Sequence, residues 1–552
     1  MTAPIVASDP RAPPWLEPVL AALDPEQRAA ATLPDGPAQI IAPAGSGKTT
    51  TLIARMGVLL GRGVPPDAIC VVTFNRDAAV DLARRIGSRI VPHVADAARI
   101  EVRTLHALAR QVLVDAGDAR TLVTDRLPLL RAARRRALSH AGSLVGIPEA
   151  AALDTHVSAL RIEGRPPPPA AAPAVAAYRS ILAARGAIDF DDLVVEAARL
   201  LEENPALRLR WQARFRHVLV DEFQDVDAAQ LRLVRLLAAP EDNLVVIGDD
   251  DQTIYAWRLA DVRRILGFSE LYPSARRVML ATNYRCPRAV VEASARVVAR
   301  NAERFVKPIR PPPGAVADPG AISVRSTAGI GWEDALAEAA AAESAAGRTL
   351  CFLARTRTEL SPIQTALVRR NVVHHAAIPP LVESGSVVEI VERARASTEQ
   401  GHAFPVLRHL RSVRGWSRGD PAADGVADDE HAALDALLGW ATAFGAVDRF
   451  VAAFDAARSR IAALRDPDAL VELATVHGSK GREWQTVVLV GFEAGRMPNA
   501  RSIADADDPD RALEEERRLA YVALTRATRR LVLTFDPARP SPFLAEMGYG
   551  VA

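Results

Sequence analysis

The sequence predicts an α/β protein built on two parallel-sheet cores. Short apolar runs recur along the chain, and most are followed by helical stretches rich in Ala, Leu and Arg. Strands that alternate with helices are typical of parallel sheets covered by helices on both faces. The runs fall into two sets, which indicates two cores. The predicted strands are AQIIA at 38–42, AICVVTF at 68–74, HVLVD at 217–221, NLVVIGD at 243–249 and RVML at 277–280, then LCFLART at 350–356, TVVLVGF at 486–492 and RLVLTF at 530–535.

The length and composition of the chain exclude several classes of protein. A chain of 552 residues, 49% of them hydrophobic, is long enough for two or more buried cores. No apolar run approaches the roughly 18 residues that span a bilayer, and the first residues lack the pattern of a signal peptide. The isolated cysteines Cys70, Cys286 and Cys351 provide neither a disulfide framework nor a cysteine-based zinc site. We therefore expect a cytoplasmic protein with no membrane partner.

The charged residues are nearly balanced, with 68 basic against 67 acidic side chains. A polyanionic partner therefore has to be bound by local patches of charge, since there is no overall positive field. Lys48, Lys307 and Lys480 are the only lysines, and the other residues of the basic set are arginines. Because an ammonium is compact and a guanidinium is planar and wide, a lysine in such a chain indicates a site that needs a compact charge.

A glycine-rich stretch, IIAPAGSGKTT at 40–50, runs from a predicted strand into a predicted helix. Its glycines allow backbone N–H groups to curl around an anion at the start of the helix, where the helix dipole favours negative charge. Lys48 is expected to reach the β and γ phosphates of ATP, and Thr49 to bind Mg²⁺. The pattern GxxxxGK[ST] is met except that Ala42 replaces its first glycine. The predicted ATP-binding residues of this loop are Ala42, Pro43, Ala44, Gly45, Ser46, Gly47, Lys48, Thr49 and Thr50.

A second stretch, VLVDEFQD at 218–225, ends a predicted strand with two carboxylates. Parallel α/β sheets bind ligands at the carboxyl ends of their strands. Asp221 suits the coordination sphere of Mg²⁺, and Glu222 is placed to orient or deprotonate an attacking water. By itself such a stretch is common as a solvated acidic loop, but beside the phosphate-binding loop it predicts ATP hydrolysis.

Ten motifs occur in order along almost the whole chain. They are LDPEQRAA (23–30), APAGSGKT (42–49), VTFNRDAA (72–79), RTLHALA (103–109), IDFDDL (188–193), VDEFQD (220–225), GDDDQTIYAWR (248–258), NYRCP (283–287), TVHGSKGREW (475–484) and EEERRLAYVALTRA (514–527). This series resembles the motifs of superfamily 1 DNA helicases of the UvrD/Rep/PcrA group. The resemblance implies two RecA-like P-loop cores with parallel sheets, each carrying a mainly helical insertion. It also implies ATP between the cores and single-stranded DNA crossing both.

The resemblance and the predicted strands together suggest domain boundaries. Both cores are interrupted by segments that carry helical patterns and no strong strand. We expect a first core at 1–106 and 186–283 with a helical insertion at 107–185, and a second core at 284–380 and 470–552 with a short helical insertion at 381–469.

The resemblance assigns further residues to the ATP site. Gln27 is implied to bind the adenine edge and Tyr284 to stack on the base, while Lys480 and Glu483 are implied near the sugar and phosphates. Gln252 is implied to sense the γ-phosphate. Three acids precede it in the sequence, and we expect them to lie beside the metal and its surroundings.

Two arginines are implied to contact the γ-phosphate from the second core. Arg285 lies before a helix that opens at Pro287, where a cation opposes the helix dipole and needs an anion. Arg526 lies on the helical face of Leu519 and Val522, and an arginine on an apolar face also needs a partner. Structural ion pairs are the alternative for both. The predicted catalytic set is Lys48, Asp221, Glu222, Gln252, Arg285 and Arg526.

Residues that follow predicted strands form a candidate track for single-stranded DNA. Bases stack on aromatic rings whatever their sequence. Taken singly, each ring is explained by core packing, and for Tyr255 that alternative stays open. Thr73 and Thr104 are candidates for contacts to backbone phosphates. The candidate DNA-binding residues are Thr73, Phe74, Arg76, Thr104, His106, Tyr255, Trp257 and Arg258.

Three departures from the family pattern bear on function. Asp77 replaces a basic residue, which leaves Arg76 to contact phosphate. Leu259 replaces a glycine, and since leucine takes positive φ only at a cost we expect the chain to leave this loop differently. The insertion at 381–469 is shorter than is usual in the family, which favours ATPase and translocation over efficient unwinding by the chain alone.

We therefore predict an Mg²⁺- and ATP-dependent 3′→5′ DNA helicase or translocase of DNA repair, recombination or replication restart, associated with the nucleoid through DNA. Its expected partners are single-stranded DNA, forked or tailed duplex, and a loading or repair protein. One alternative is a translocase that displaces proteins without unwinding duplex, and another is a non-catalytic DNA-binding protein with an inactive ATPase fold. The choice of DNA over RNA rests on the resemblance alone, since a stacking track accepts both.

Overall fold

The computed structural model describes residues 13–141, 147–328, 331–376, 381–397, 401–416 and 428–550. The chain forms two compact units. The first runs to Arg285 and includes Asn301–Gly314, and the second comprises Cys286–Arg300 and the chain from Ala315 onward. Each unit contains a six-stranded sheet in which every strand pairing is parallel. The predicted fold class, α/β with two parallel-sheet cores, is confirmed.

The sheet of the first unit is covered by helices on both faces. Its strands are β1 (Ala38–Ile41), β2 (Ile69–Thr73), β3 (Glu101–Thr104), β6 (His217–Val220), β7 (Leu244–Gly248) and β8 (Arg276–Met279), while β4 (Thr121–Leu122) and β5 (Ala187–Ile188) pair separately. The strand order is β3-β2-β6-β7-β1-β8. β1, β2, β6 and β7 are buried along their whole length, which is why they are continuous apolar runs without polar alternation.

Several helices of the first unit start at residues whose side chains accept hydrogen bonds from free backbone N–H groups. Asp24 caps the second helix in a capping box with Gln27, and Asp189 caps the ninth in the same way with Asp192. The three helices within residues 127–184 pack around a small core of their own that includes Leu130. The helices are α1 (Leu16–Ala21), α2 (Pro25–Ala31), α3 (Lys48–Gly61), α4 (Arg76–Arg89), α5 (Leu105–Asp115), α6 (Leu127–Ala141), α7 (Ala150–Glu163), α8 (Ala172–Ala184), α9 (Phe190–Glu203), α10 (Pro205–Arg214), α11 (Ala228–Ala238), α12 (Val262–Leu266) and α13 (Phe268–Leu271).

The second unit repeats the parallel arrangement. Its strands are β9 (Ile322–Ser326), β10 (Leu350–Ala354), β11 (His375–Ala376), β12 (Val471–Thr475), β13 (Trp484–Leu489) and β14 (Ala527–Phe535), in the order β11-β12-β10-β13-β14-β9. Its helices are α14 (Arg288–Val298), α15 (Trp332–Ala345), α16 (Ser361–Arg369), α17 (Gly385–Ala396), α18 (Ala403–Val413), α19 (Asp428–Ala441), α20 (Val447–Leu464), α21 (Ala500–Ala504), α22 (Pro509–Leu524) and α23 (Pro542–Glu546). Helices α17 to α20 enclose a separate core around Phe450 and Phe454. Across the described ranges, no helix is both long and apolar enough to cross a membrane.

Each of the eight predicted strands is present, and the strands that were not predicted lack a continuous apolar run. β3 is only partly buried and carries Glu101 and Arg103. β9 lies at the sheet edge with its last residues exposed. β12 contains the buried Glu472, whose carboxylate is paired with Arg482 and accepts from the indole N–H of Trp484 at 3.2 Å. A buried charge in a strand is tolerated when it is paired in this way. Because the partner lies outside the strand, the sequence of β12 alone does not indicate a buried strand.

Candidate functional site

The carboxyl edge of the first sheet collects most of the predicted site residues. β1 is followed by the phosphate-binding loop, β6 by the acidic stretch 221–225, β7 by the loop 249–258 and β8 by the stretch 280–285. β2 and β3 are followed by Phe74 and His106. Since all six strands are parallel, these loops lie along one edge of the sheet. The loops after β1 and β8 therefore carry candidates for nucleotide binding, and the segments after β2 and β3 carry candidates for DNA binding. The β6 and β7 loops lie between them, and the β7 loop contains Gln252 as well as the DNA-binding candidates Tyr255, Trp257 and Arg258.

The phosphate-binding loop ends where α3 begins, at Lys48. Gly45 and Gly47 have positive φ angles of 69° and 79°, a conformation that costs residues with a Cβ about 1–2 kcal/mol. The Nζ of Lys48 donates a 2.9 Å hydrogen bond to the carbonyl oxygen of Ala42, so its side chain folds back across the loop. A curled backbone at the start of a helix is the arrangement that binds phosphate anions.

Two further features of the loop suit a polyphosphate: side chains are not tolerated at its glycines, and it contains a buried hydroxyl that needs a partner. A Cβ added at Gly47 would lie 2.5 Å from Gln27 Nε2, and one at Gly45 would lie 2.7 Å from the Cβ of Arg285. The Oγ of Ser46 is buried and, among the described residues, has no hydrogen-bond partner. A buried hydroxyl without a partner is costly unless a ligand or water supplies one. The residues of the loop are therefore suited to the phosphates of ATP.

Gln27 and Tyr284 are both brought to the phosphate-binding loop through Asp24. Gln27 Nε2 donates to the carbonyl oxygen of Ser46 at 2.9 Å, and Gln27 Oε1 accepts from the Asp24 N–H at 3.2 Å. The hydroxyl of Tyr284 donates to Asp24 Oδ2 at 2.8 Å, and its backbone N–H donates to the carbonyl oxygen of Gly45 at 2.9 Å. The Gln27 amide thus already has partners at both ends. The ring of Tyr284 is 49% exposed, which leaves a face for stacking.

Arg285 lies beside the same loop. The close approach of its Cβ to Gly45 places it there, and its backbone N–H donates to Asn283 Oδ1 at 2.9 Å. The helix that follows, α14, begins at Arg288 with Pro287 as its cap, as the sequence predicts.

A hydrogen-bonded path joins the β6 and β7 loops. Glu222 has a φ of 52°, a strained conformation that costs about 1–3 kcal/mol and clusters at functional sites, and its N–H donates to Asp221 Oδ1 at 2.9 Å. The side-chain amide of Gln224 donates to the Glu222 carboxylate, and its Oε1 accepts from the N–H of Asp249 at 3.0 Å. Asp249 Oδ2 then accepts from Gln252 Nε2 at 2.7 Å. The path links the carboxylate predicted to activate water with the glutamine predicted to sense the γ-phosphate.

Asp249, Asp250 and Asp251, which we name the aspartate turn, are fully buried. Lys307 Nζ lies 2.5 Å from Asp250 Oδ1, 2.7 Å from Asp251 Oδ2 and 3.4 Å from Asp249 Oδ1. Arg304 forms a bidentate pair with Asp251 at 2.9 and 2.8 Å. We expected these acids beside a metal. The structure instead provides them with internal cations, because the chain returns to the first unit at 301–314.

The pKa values in the aspartate turn follow from burial and crowding. Burial raises the pKa of Asp250 above its ordinary value, and the neighbouring carboxylates act in the same direction while Lys307 opposes them. Burial alone would lower the pKa of Lys307, but the three carboxylates outweigh it and raise the pKa above its ordinary value. Lys307 therefore stays charged at neutral pH.

Four of the candidate DNA-binding residues form one continuous surface. The rings of Phe74 and Tyr255 are stacked with centroids 5.0 Å apart, and Trp257 meets Tyr255 edge-on at 6.2 Å. The Arg258 guanidinium lies 4.7 Å from the centre of the Trp257 ring. Trp257 is 58% exposed, which is unusual for so large an apolar side chain. Tyr255 is half-buried and contacts both other rings, so its packing against Phe74 and Trp257 is compatible with either a structural or a binding role.

His106 and Phe190 form a second aromatic pair. Their rings meet edge-to-face at 5.6 Å, and Phe190 is 41% exposed. Burial lowers the pKa of His106, with the charge of Arg258 acting in the same direction and Asp191 opposing, so the ring is neutral near pH 7. Phe190 was not predicted as a site residue, because its position at the start of α9 gave no sign that its ring would pair with His106.

The candidates for phosphate contacts differ in exposure. Thr73 is buried and its hydroxyl donates to the carbonyl oxygen of Asn75 at 3.1 Å. Thr104 caps α5, and its Oγ1 accepts from the N–H of Ala107 at 3.2 Å. Arg76 is exposed at the first residue of α4. Of the three, Arg76 has the side chain most available to a phosphate.

Leu259 adopts the positive φ that we expected it to avoid. Its φ is 63° and ψ is 18°, and its side chain is 7% exposed. The N–H of Leu259 donates to the carbonyl oxygen of Ala256 at 2.8 Å, and the N–H of Ala260 donates to that of Tyr255 at 3.2 Å. The loop therefore closes with a left-handed turn despite the leucine, and the burial of that side chain offsets the backbone strain.

The predicted ATP-site residues of the second unit lie near the amino ends of β13 and β14. Helix α22 ends at Leu524, so Arg526 lies beyond the helix and not on its apolar face as predicted. Arg526 is buried, and its guanidinium donates to the carbonyl oxygens of Val522 at 2.9 Å and Arg482 at 3.2 Å. Its own carbonyl oxygen accepts from the N–H of Trp484 at 3.0 Å, which places it beside β13. Lys480 and Glu483 lie in the segment between β12 and that strand.

The predicted magnesium ligands come from two loops of the same sheet edge. Thr49 is the second residue of α3 after β1, and Asp221 directly follows β6. Among the described residues, no group of three or more His, Cys, Asp or Glu side chains is arranged as a metal site. Mg²⁺ at nucleotide sites commonly takes one or two protein ligands and completes its shell with phosphates and water, which is the kind of site that these two residues suit.

Three residues that the sequence analysis did not assign belong to this site. Gln224, Arg304 and Lys307 make the contacts described above. The rarity of lysine was the only signal for Lys307, and it did not indicate the partner.

Comparison with known proteins identifies two matching families. The UvrD/REP helicase N-terminal domain matches residues 23–145 and 146–273, and the UvrD-like helicase C-terminal domain matches residues 457–537. Together these matches cover more than half of the chain. The chain is 29% identical to ATP-dependent DNA helicase UvrD2 of Mycobacterium tuberculosis, over 95% of this chain and 80% of that protein. It is 28% identical to UvrD1 of the same organism over 96% and 84%, and 26% identical to ATP-dependent DNA helicase PcrA of Leuconostoc citreum over 95% and 84%.

Proposed function

This chain belongs to the UvrD-like helicase family, and from that premise we propose that it is an ATP-hydrolysing DNA helicase. We infer further that it moves 3′→5′ on single-stranded DNA, uses Mg²⁺, and acts in DNA repair, recombination or replication restart. The relatives with full-length similarity are named ATP-dependent DNA helicases. Their names support the reaction, while the polarity and the pathway are proposals.

The order of loops along the first sheet is the observation that carries the proposal. The phosphate-binding loop follows β1, near one edge of the sheet, and Phe74 of the aromatic surface follows β2, near the other, with the loops after β6 and β7 between them. The β7 loop reaches from Gln252, on the nucleotide side, to Trp257 in only five residues. A change at the nucleotide can therefore move the aromatic surface through one short segment. This is the arrangement that a motor needs to couple hydrolysis to stepping.

Each predicted catalytic residue has a role in this proposal. Lys48 and the loop N–H groups bind the phosphates, and Thr49 and Asp221 would hold Mg²⁺, which neutralises charge on the phosphates when bound. Glu222 orients or deprotonates the attacking water, and Gln252 senses the γ-phosphate.

Arg285 and Arg526 supply positive charge to the γ-phosphate as hydrolysis proceeds. Such arginines contribute about 10³–10⁵ in rate in other phosphoryl-transfer enzymes. Tyr284 and Gln27 contact the base, and Lys480 and Glu483 lie near the sugar and phosphates.

The first test is ATP hydrolysis with and without nucleic acid. We expect strong stimulation by single-stranded DNA, and loss of turnover in Lys48→Ala and in Glu222→Gln. A matched RNA strand in the same assay separates a DNA motor from an RNA motor. Absence of hydrolysis with DNA, in a folded wild-type protein, would favour the non-catalytic alternative and contradict the proposal.

Direction and unwinding need separate substrates. A duplex with a 3′ tail is expected to be unwound, whereas one with a 5′ tail is not. Displacement of streptavidin from biotinylated single strands, measured beside a forked duplex, tests for translocation without unwinding. Displacement without unwinding by the purified chain would replace the helicase proposal by the translocase alternative.

A further inference from the structure

The segment Asn301–Gly314 belongs to the first unit although the chain on both sides of it belongs to the second. The chain therefore passes between the units at 285–286, 300–301 and 314–315. The aspartate turn anchors this segment: Arg304 pairs with Asp251, the N–H of Phe305 donates to Asp250 Oδ2 at 2.8 Å, and Lys307 contacts all three carboxylates. The segment is thus attached to the loop that follows β7.

The anchor is one side chain away from the predicted γ-phosphate sensor. Lys307 contacts Asp249 through Oδ1, and Gln252 donates to Oδ2 of the same carboxylate. Asp249 is also the residue whose N–H donates to Gln224, which in turn contacts Glu222. The orientation of Asp249 therefore bears on both Gln252 and the path to Glu222, and Lys307 is the cation that balances it.

We propose that Lys307 and Arg304 are positioning residues for ATP hydrolysis, which hold the aspartate turn and, through Asp249, the side chain of Gln252. The proposal rests on the proposed function and adds residues outside the motifs that identify the family. Neither residue contacts the phosphate-binding loop in the described structure, so their effect passes through the turn.

The choice of lysine supports this role. The chain has 68 basic residues and only three lysines, so arginine is its usual cation. At position 307 the three carboxylates converge on one nitrogen, and every side chain involved is buried with 0% exposure. An ammonium satisfies three acceptors from a single point, whereas a guanidinium needs a wider, planar space. An arginine could supply the positive charge, but the three converging carboxylates require a cation as compact as the lysine ammonium.

The test compares Lys307→Met, Lys307→Arg and Arg304→Lys with the wild-type protein. In all three we expect the kcat of DNA-stimulated ATP hydrolysis to fall, at least tenfold for both Lys307 variants and less for Arg304→Lys, which keeps the charge and loses the bidentate pair. The KM for ATP is expected to stay within threefold, because the phosphate-binding loop is untouched. A fall in kcat in Lys307→Arg would show that positive charge by itself is insufficient, whereas wild-type kcat in that variant would overturn the geometric part of the proposal.

Hydrogen exchange provides a readout that does not require catalysis. In the Lys307 variants we expect faster exchange in peptides that cover 244–262 and unchanged exchange in peptides that cover 38–55. Leu59→Ala, a truncation of a fully buried side chain in the same unit, is the control for a general loss of stability and is expected to keep the wild-type kcat at temperatures where it is folded. If Lys307→Met does not fold, combining it with Asp250→Asn removes one buried charge and keeps an acceptor for the N–H of Phe305.

The outcomes separate the two proposals. If the wild-type protein does not hydrolyse ATP, the proposed function fails and exchange alone judges the role of Lys307. Local loss of protection in the β7 loop then supports the positioning role. Unchanged exchange in that loop, or a uniform increase like that of Leu59→Ala, overturns it.

Discussion

Leu259 offers a sharp test of backbone strain at the end of the β7 loop. Its φ of 63° lies in the left-handed region, where a residue with a Cβ is disfavoured and glycine is not. Leu259→Ala keeps the strain and loses the buried side chain. Leu259→Gly loses the side chain and relieves the strain. Comparing the two variants with each other leaves the backbone contribution as the main difference, because both lose the buried isopropyl end of the side chain and they differ only in the Cβ methyl.

The magnitudes follow from burial and conformation. The side chain of Leu259 is 7% exposed, so truncation to alanine should cost about 2–5 kcal/mol. At a position with ordinary φ, alanine is more stable than glycine by about 0.4–1 kcal/mol through the entropy of the unfolded chain. At positive φ that order reverses. Since relief of about 1–2 kcal/mol of left-handed strain exceeds that preference, we expect Leu259→Gly to be more stable than Leu259→Ala by roughly 1 kcal/mol. Both variants should be less stable than the wild-type protein.

Native-state hydrogen exchange is the suitable assay because it measures the opening of a segment and does not need the two units to unfold together. The amides of Leu259 and Ala260 both donate to carbonyl oxygens within the turn, so they report its opening directly. The free energy of opening should follow the order wild type, Gly variant, Ala variant. An Ala variant as stable as the Gly variant, or more stable, would show that the left-handed strain at Leu259 is not real.

Three further predictions concern the site and its surroundings. Gly47→Ala should lower the affinity for ATP at least tenfold without unfolding the protein, since the φ is 79° and the new Cβ would lie 2.5 Å from Gln27 Nε2; unchanged binding of a fluorescent ATP analogue would contradict the loop geometry. Trp257→Ala should weaken binding of single-stranded DNA by about 1–3 kcal/mol and raise the ATP consumed per nucleotide moved; normal translocation would exclude it from the track. Burial raises the pKa of Asp227 to about 6, so the folded state favours the protonated acid and loses stability as the pH rises from about 4 to 6. Asp227→Asn, which caps a helix equally well, should therefore raise the free energy of unfolding by about 1–3 kcal/mol at pH 7 and flatten its pH dependence in that range, whereas a pH profile like that of the wild-type protein would contradict the raised pKa.

The parts of the fold that the sequence predicted are those governed by local patterns. β1, β2, β6 and β7 are buried on both faces, so their sequences are unbroken apolar runs. β12 is also almost entirely buried but contains Glu472, whose buried charge is balanced by Arg482 ten residues further along the chain. The hydrophobic pattern of a strand does not reveal an oppositely charged partner that lies outside the strand.

The placement of Arg526 failed for a related reason. The spacing from Leu519 and Val522 fits a helical face, yet the helix ends at Leu524 and the arginine turns to donate to backbone carbonyl oxygens. Spacing alone does not locate the end of a helix. The helix itself was therefore predicted correctly, whereas the surroundings of Arg526, just beyond its end, were predicted wrongly.

By itself the sequence determined two sets of parallel strands, a phosphate-binding loop and a membership in a helicase family, because apolar runs, glycine spacing and ordered motifs are local properties of the chain. Only the tertiary structure decided what surrounds the aspartate turn. Three adjacent acids in a sequence suggest solvent or a metal, and here they are buried against Lys307 and Arg304, which lie more than 50 residues further along the chain. Burying charge is costly unless an opposite charge is brought to it, and the fold alone brings those cations back to the first unit.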